Sequence, residues 1–460
     1  MQTVALHNLG CKVNSYEIEF MQQNFEKSGY EIVPFDSKAD IYIVNTCTVT
    51  NIADRKSRQM LHRAKRMNPD AVVVATGCYV QTDRQGAEAD ESIDLCVGNN
   101  RKADIVKIVE EYINNNRKTD DAVIDVNDGF IEYEEMTLER TAEHVRAYIK
   151  IQDGCNQFCT YCAIPYSRGR VRSRKKEQII DEIRGLASQG YKEFVLTGIH
   201  ISSYGLDFVD KEASSGDYLK ANGDKREVAY KKGYLIDLIK DVSKIDGVRR
   251  IRIGSLEPRI VTEEFAKALS EIDAVCPHFH LSLQSGSDTV LKRMNRHYSA
   301  EEYLGRVEIL RKYFDNPAIT TDIITGFPGE TKEEFEETRQ FACRVKFYET
   351  HIFRYSPRKG TIAAGMPDQI DEQIKAKRSD VLLDINAENS KKYREMVLGR
   401  ENEILIEEKK KINGKYYMTG HTKNYIMAAV PEDAASVNDV ISGMAESFLT
   451  DEILLLSIKK

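Results

Sequence analysis

Three cysteines are spaced Cys155-x3-Cys159-x2-Cys162. Thiolates that close in sequence can reach one metal centre. A closed structural zinc site takes four ligands, usually in two paired halves, and Cys159-x2-Cys162 has no matching second pair nearby. A 4Fe-4S cluster has four irons and normally takes four cysteines. No fourth cysteine lies within thirty residues on either side. The spacing therefore predicts a cluster held at three corners, with one iron open to a small molecule. Three structural or zinc-bound thiols are the plainer alternative.

A second trio is scattered. Cys11, Cys47 and Cys78 each end a short apolar run: Leu9–Gly10–Cys11, Asn45–Thr46–Cys47 and Thr76–Gly77–Cys78. If those runs are strands of one parallel sheet, their carboxyl ends lie side by side and the cysteines converge on one sheet edge. That predicts a second open cluster. The alternative is three buried structural thiols, since free cysteine is often buried. Cys96, Cys276 and Cys343 read as packing residues.

The elements that must position these thiols follow from the hydrophobic pattern. The runs Thr3–Leu9, Ile41–Thr46 and Ala71–Thr76 are short and Val/Ile-rich, as buried parallel strands are. Helical spacing follows in Tyr16–Phe25 and Ala53–Arg66. This predicts an N-terminal open parallel α/β sheet domain over residues 1–118. Residues 119–140 read as a solvated acidic linker, with eight acids and no Lys or Arg before Arg140.

A second alternating series fills residues 141–369. Strands are expected at Val145–Ile151, Phe194–Thr197, Arg250–Ile253, Phe279–Leu283, Thr320–Ile324 and Thr350–Arg354. Helical patterns separate them, as in Glu177–Ala187, Leu235–Val242, Thr262–Leu269 and Lys332–Cys343. Six such repeats predict a partial TIM-like (βα)6 barrel. The polar stretch 209–232 reads as a surface insertion. A polar helix is expected over Ile370–Arg394, within a linker at 370–397. Short strands at Ile404–Ile406, Tyr416–Thr419, Ile426–Val430 and Ile453–Ile458 predict a small antiparallel β-barrel over 398–460.

The chain has 460 residues and a net charge of −7, so any nucleic-acid contact must be local. With 30% charged and 41% hydrophobic residues it reads as soluble and globular. No apolar run approaches the ~18 residues needed to span a bilayer, and Met1–Gly10 is strand-like rather than leader-like. The cytoplasm is the expected compartment. Its reducing conditions suit nine cysteines used for metal or catalysis. Polar and glycine-rich residues gather at the ends of the second series: Thr197–Gly198, Ser255–Leu256–Glu257–Pro258, Gln284–Ser285–Gly286 and Thr325–Gly326–Phe327–Pro328–Gly329–Glu330. Such rims hold small ligands, though each turn by itself is ordinary. Two stretches are basic. Residues 140–176 carry nine Lys/Arg against two acids, and Arg55, Lys56, Arg58, Arg63, Lys65 and Arg66 follow Cys47. Both suit phosphate contacts, with a solvated helix face as the alternative.

The run Cys155-x3-Cys159–Thr160–Tyr161–Cys162 resembles the signature of radical S-adenosylmethionine (SAM) enzymes. The three upstream cysteines, with Thr197–Gly198–Ile199 and Ser255–Leu256–Glu257–Pro258, resemble the methylthiotransferase branch. The opening Leu9-Gly-Cys-Lys-Val-Asn-Ser-Tyr-Glu17, with Cys47–Thr48–Val49–Thr50, is similar to the MtaB type, which modifies N6-threonylcarbamoyladenosine in tRNA. The C-terminal β module looks like a TRAM RNA-binding domain. The resemblance covers nearly the whole chain.

The resemblance implies two 4Fe-4S clusters, one on Cys155, Cys159 and Cys162 and one on Cys11, Cys47 and Cys78, with SAM as cosubstrate. It implies reductive cleavage of SAM to a 5′-deoxyadenosyl radical and insertion of a methylthio group at carbon 2 of the adenine. Tyr161 is expected against the adenine of SAM, and Thr197, Gly198, Ser255, Glu257, Gln284 and Asp322 as SAM or substrate contacts. Implied partners are the tRNA anticodon stem-loop, an external electron donor and a sulfur source, with no membrane and a monomeric chain. In the C-terminal module, Lys409, Lys410, Lys411, Lys415 and Lys423 with Tyr416 or Tyr417 are the expected RNA face. Other readings are a methylthiotransferase for a different tRNA adenosine or a ribosomal protein, and a non-catalytic iron–sulfur electron carrier.

Overall fold

The structure is a computed structural model and describes residues 1–115, 122–127, 131–141, 145–208 and 233–458. The insertion expected at 209–232 lies outside the described residues.

The first apolar runs form a wholly parallel sheet. Its strands are β1 (Thr3–Asn8), β2 (Glu31–Ile32), β3 (Ile41–Thr46), β4 (Val72–Gly77) and β5 (Leu95–Val97), in the order β2-β1-β3-β4-β5. All six residues of β3 are buried, which explains its unbroken apolar texture. Helices α1 (Lys12–Lys27), α2 (Asn51–Met67), α3 (Cys78–Thr82), α4 (Arg84–Glu88) and α5 (Ile105–Asn115) connect and cover the strands. Helix α2 starts at Thr50, whose hydroxyl accepts from the Ala53 amide. The strands β1, β3 and β4 that end in cysteines are immediate neighbours. Residues 131–141 then run along α1. Met136 and Leu138 are buried there, and the Tyr16 hydroxyl donates to the Met136 carbonyl.

The second series begins with β6 (Arg146–Asp153) and the short antiparallel β7 (Arg172–Ser173). Parallel strands β8 (Glu193–Gly198), β9 (Arg250–Ile253), β10 (His278–His280), β11 (Ala318–Thr325) and β12 (Glu349–Arg354) follow. Single bridges, Ile251 to Val275 and Leu256 to Leu281, join the sheet β7-β6-β8-β9 to the sheet β10-β11-β12. Among the described residues β6 and β12 do not pair, so the barrel is open on one side. Helices α6 (Ile164–Arg168), α7 (Lys176–Ser188), α8 (Tyr234–Ser243), α9 (Glu263–Ser270), α10 (Asp288–Arg293), α11 (Ala300–Tyr313), α12 (Lys332–Val345) and α13 (Glu372–Glu395) accompany the strands.

Strand alternation decides what the barrel contains. Ala147, Ile149 and Ile151 of β6 pack with Ile179, Ile183 and Leu186 of α7 in the main core. The intervening residues, Arg146, Tyr148, Lys150 and Gln152, therefore face inward. The same rule turns Arg252, His278, His280, Asp322 and His351 into the lumen.

The C-terminal strands are β13 (Glu401–Ile412), β14 (Lys415–Thr422), β15 (Met427–Pro431), β16 (Val440–Thr450) and β17 (Ile453–Ser457). They close in the order β13-β14-β15-β17-β16. The β15–β17 seam is parallel, so the barrel is antiparallel except there. The sequence reading missed β16, whose small residues and Gly443 blur the alternation. Cys96 and Cys276 are buried as expected. Cys343 is not a packing residue. It lies exposed on α12, on the face turned from the core. Among the described residues no helix is long and apolar enough to cross a membrane.

Candidate active site between two cysteine edges

Cys11 caps the start of α1, Cys47 directly follows β3, and Cys78 opens α3. Gly77 makes the last of these turns possible. Its φ is +98°, and a Cβ there would lie 2.5 Å from the Thr46 carbonyl oxygen. Burial pushes the Cys47 thiol up to about 11, and the neighbouring Cys78 and Cys11 add to the shift. The three cysteines thus stand at the carboxyl ends of three neighbouring strands of one sheet.

The other trio sits on the loop after β6. Gly154 has φ +71°, and a Cβ there would meet the Arg170 carbonyl oxygen at 1.8 Å. The Cys155 amide donates to the Gly169 carbonyl, and the Cys162 amide to the Cys159 carbonyl. Asn295 Nδ2 donates to the carbonyls of Gln157 and Phe158 at 3.3 and 3.0 Å, which fixes the middle of the loop. Burial pushes the Cys162 thiol up strongly, with Cys159 and Cys155 adding. Arg296 Nη1 lies 3.3 Å from Cys159 Sγ.

The two edges meet. Helix α3, which begins at Cys78, packs on α6, which begins two residues after Cys162. Asn99 Nδ2 donates to the Ser167 carbonyl at 2.7 Å and lies 3.9 Å from Cys78 Sγ. Arg168, the last residue of α6, donates to Asn14 Oδ1 at 2.8 Å, and Cys11 Sγ lies 3.5 Å from that same oxygen. Arg168 Nη1 also donates to Glu17 Oε1 at 2.8 Å. Glu17, fully buried, is shared with Lys150 at 2.8 Å and with Lys102. Asp153 takes Lys150 at 2.7 Å and Arg168 at 3.2 Å. Burial opposes the charge on Glu17, but Arg168, Lys102 and Lys150 hold its carboxyl well below the usual range.

Four buried cations (Lys102, Lys150, Arg168 and Arg172) therefore face two buried carboxylates, Glu17 and Asp153. The surplus positive charge lies beside Cys11, Cys47 and Cys78. Three crowded thiols with positive charge behind them form a donor set suited to an anionic iron–sulfur cluster. The trio at Cys155 has the same number of donors, with Arg296 as the adjacent cation.

This network corrects the reading of the basic stretch at 140–176. Lys150, Arg168, Arg172 and Arg174 are buried and bound to Glu17, Asp153 and Glu182. Lys176 pairs with Asp241 and Arg140 with Glu26. Most of the excess joins the two halves of the protein and is not free to meet phosphate. On α2, Arg55, Lys56 and Arg58 are exposed, while Lys65 pairs with Asp94 and Arg63 with Asp36.

The expected ligand contacts take varied positions. Thr197 and Gly198 end β8. Ser255 is exposed in the loop after β9. Glu257 is buried, and its carboxylate accepts from Arg259 Nε at 2.6 Å. Gln284, at φ +73°, exchanges backbone hydrogen bonds with β11 through Asp322 and Ile324. Tyr161 packs edge-on to Phe327, with ring centroids 6.5 Å apart. Asp322 is not at the rim. It lies within β11 and bridges His280 and His351 at 3.2 Å each. In the C-terminal barrel, Lys409 and Lys411 flank the Tyr416 ring at 4.7 and 5.7 Å. Lys423 leaves the expected RNA face and donates to the Asp273 carbonyl under the central barrel.

Sequence reasoning missed Asn14, Glu17, Lys102, Arg296 and Arg358. Arg358 binds Thr48 and Asn51 at 2.5 and 2.6 Å, tying the loop after β12 to the segment after Cys47. Only Asn14 and Glu17 left a signal, being spaced three and six residues after Cys11, on one face of a helix.

Residues 149–342 match the radical SAM superfamily, and residues 3–98 match a family described as "Uncharacterized protein family UPF0004". The radical SAM methyltransferase TsrM of Kitasatospora setae shares the fold, with a TM-score of 0.53 and 16% identity over 79% of this chain and 77% of its own. The threonylcarbamoyladenosine tRNA methylthiotransferase MtaB of Bacillus subtilis is 40% identical over 93% of this chain and 90% of its own. The MtaB of Aquifex aeolicus is 37% identical over 92% and 97%. A tRNA-2-methylthio-N(6)-dimethylallyladenosine synthase of Clostridium botulinum is 34% identical over 94% and 92%. The cysteine edges, the open barrel and these relatives agree: this chain belongs to the radical SAM tRNA methylthiotransferases, in the MtaB family.

Proposed function

We propose that this protein inserts a methylthio group at carbon 2 of N6-threonylcarbamoyladenosine beside the tRNA anticodon, working in the cytoplasm. SAM and a 4Fe-4S cluster come with membership of the radical SAM superfamily; the second cluster, on Cys11, Cys47 and Cys78, is part of this proposal. The observation that supports it is the packing of α3, which opens at Cys78, on α6, which begins two residues after Cys162. When bound, the clusters would supply the electron for SAM cleavage and the sulfur that is transferred. The chain's own part is to aim and to exclude water. Cys155, Cys159 and Cys162 would hold the SAM-binding cluster. Tyr161, Thr197, Gly198, Ser255, Glu257 and Gln284 would shape the SAM pocket above the lumen. Arg55, Lys56 and Arg58, with Lys409, Lys411 and Tyr416, would contact the RNA. An external electron donor and sulfur source would complete the cycle. We assign residues 1–118 to the N-terminal cluster domain, 141–369 to the catalytic barrel and 398–460 to the RNA-binding barrel.

Anaerobic reconstitution is expected to load about eight iron atoms per chain. Cys155→Ala should abolish 5′-deoxyadenosine formation. Cys47→Ala should retain it but lose methylthiolation, read by mass spectrometry of tRNA nucleosides. Full methylthiolation by Cys47→Ala would remove the second cluster from the reaction. An electron carrier would yield no 5′-deoxyadenosine at all.

A further inference from the structure

The lumen below the cysteine edges is charged, and three of its carboxylates are already engaged. Glu193 of β8 is divided between Arg252 at 3.0 Å and Arg250 at 3.4 Å. Asp322 is divided between His280 and His351. Glu407, from the C-terminal barrel, is divided between His421 at 2.8 Å and Arg146 at 3.7 Å.

Lys12 is left over. It follows Cys11 directly, and its Nζ lies 6.0 Å from the ring centroid of Tyr148, an inward-facing residue of β6. Among the described residues no carboxylate lies within ion-pair distance of it. Burial, with the positive charges of Arg252 and Arg146, disfavours its ammonium, and Glu193 acts the other way. The Lys12 side chain is nevertheless accessible. His351 also opens to the lumen, with 54% of its side chain exposed, and is already paired with Asp322. An accessible cation beside Cys11 that faces Tyr148, with no carboxylate within ion-pair distance among the described residues, is a receptor for an anion brought by the ligand.

The adenosine substituents named for the relatives differ in this respect. Dimethylallyl is apolar and would leave Lys12 desolvated and unpaired, which is costly. Threonylcarbamoyl carries a carboxylate. We infer that Lys12 binds the carboxylate of the threonylcarbamoyl group and so selects the substrate. The inference rests on the function proposed above and adds the residues that read the substituent. The base would lie at the cysteine edges, and its N6 arm would descend into the lumen toward Lys12.

The test uses the reconstituted enzyme and anticodon stem-loop RNA in two forms: threonylcarbamoyladenosine as the free acid, and its neutral methyl ester. Binding is read by fluorescence anisotropy and turnover as KM and kcat. A hydrogen bond to a charged group contributes ~1.5–3 kcal/mol, so the wild type should prefer the acid by about 10- to 150-fold. Lys12→Gln should bind both forms as the wild type binds the ester, with the loss falling on KM. Lys12→Arg, which keeps the charge, should keep the preference. An unchanged preference in Lys12→Gln, or no preference in the wild type, overturns the assignment. A wild type that methylthiolates neither RNA overturns the proposed function, and the assignment falls with it.

Discussion

Glu17 has no solvent exposure and three cationic partners, reached from residues 85, 133 and 151 positions away in sequence. Such a group is costly to bury and more costly to leave half-paired. Glu17→Gln would leave Lys150 and Arg168 with Asp153 as their one carboxylate and Lys102 with only the Asn99 side-chain oxygen. The expected loss is about 3–5 kcal/mol of folding stability, measured by urea denaturation. A variant as stable as the wild type would mean that the cations find other partners. At this scale the sequence was informative where chemistry is local. The spacing of Cys155, Cys159 and Cys162 is readable because all three sit on one loop. The pairing of Glu17 with Arg168 is not, because it depends on how two sheets dock. That is also why Arg168 and Arg174 read as nucleic-acid contacts: a buried arginine and an exposed one look the same in a sequence.

The recurring element is strand, glycine, cysteine. It occurs at Gly10–Cys11, Gly77–Cys78 and Gly154–Cys155, and all three glycines have positive φ. A side chain at Gly154 would collide with the Arg170 carbonyl, so the turn that aims Cys155 admits only glycine. This element was legible, and so were most strands: Arg250–Ile253 forms over the residues expected. Helices α10 and α11 and strand β16 were not foreseen. Helix α11 has its start fixed by a Ser299–Glu302 capping box, a signal present in the sequence but hidden among neighbouring polar residues. Helix α12 opens with the same device, and there it has a second use. Glu334 accepts from Arg293 at 2.7 Å through both nitrogens of its fork, and from Thr289 at 2.6 Å. The Arg293 carbonyl in turn accepts from Thr160, inside the cysteine loop. These bonds, led by Arg293, bring the Glu334 carboxyl from its ordinary 4.5 down to about 2. An acid with a depressed folded pKa adds stability that is fully present above about 4.5 and is lost as pH falls toward 2. Glu334→Gln should therefore be less stable than wild type at pH 6, and the gap should close by pH 2. Denaturation midpoints across that range test it; a gap independent of pH would show that the ion pair contributes nothing.

At the scale of the whole molecule, the C-terminal barrel does more than append a surface for RNA. The central barrel cannot fill its own lumen with aliphatic side chains, because its inward positions carry Arg146, Arg252 and His278. The C-terminal barrel closes that end. Tyr425 stacks on His278 and His421, with centroids 4.8 and 4.5 Å away, and lies under Arg252 and Arg146 at 4.8 and 5.3 Å. It does so at φ +67°, a strained conformation for a residue other than glycine. Arg250 reaches Glu403 and the His421 carbonyl, and Arg252 reaches the carbonyls of Thr422 and Lys423. Glu193 is the carboxylate that the two arginines share on the central barrel's own side, while Glu403 pairs with Arg250 from across the interface. Removing Glu193 leaves two buried guanidinium groups paired only across the interface, so Glu193→Ala should cost about 3–5 kcal/mol. The loss should be uneven. Hydrogen exchange should speed up across β13–β17 and at the amino ends of β8 and β9, while β1, β3 and β4 keep their protection, because Glu17 and its partners hold that sheet independently. Equal loss of protection in both regions would mean that the protein unfolds as one unit and that Glu193 is not the link between the barrels.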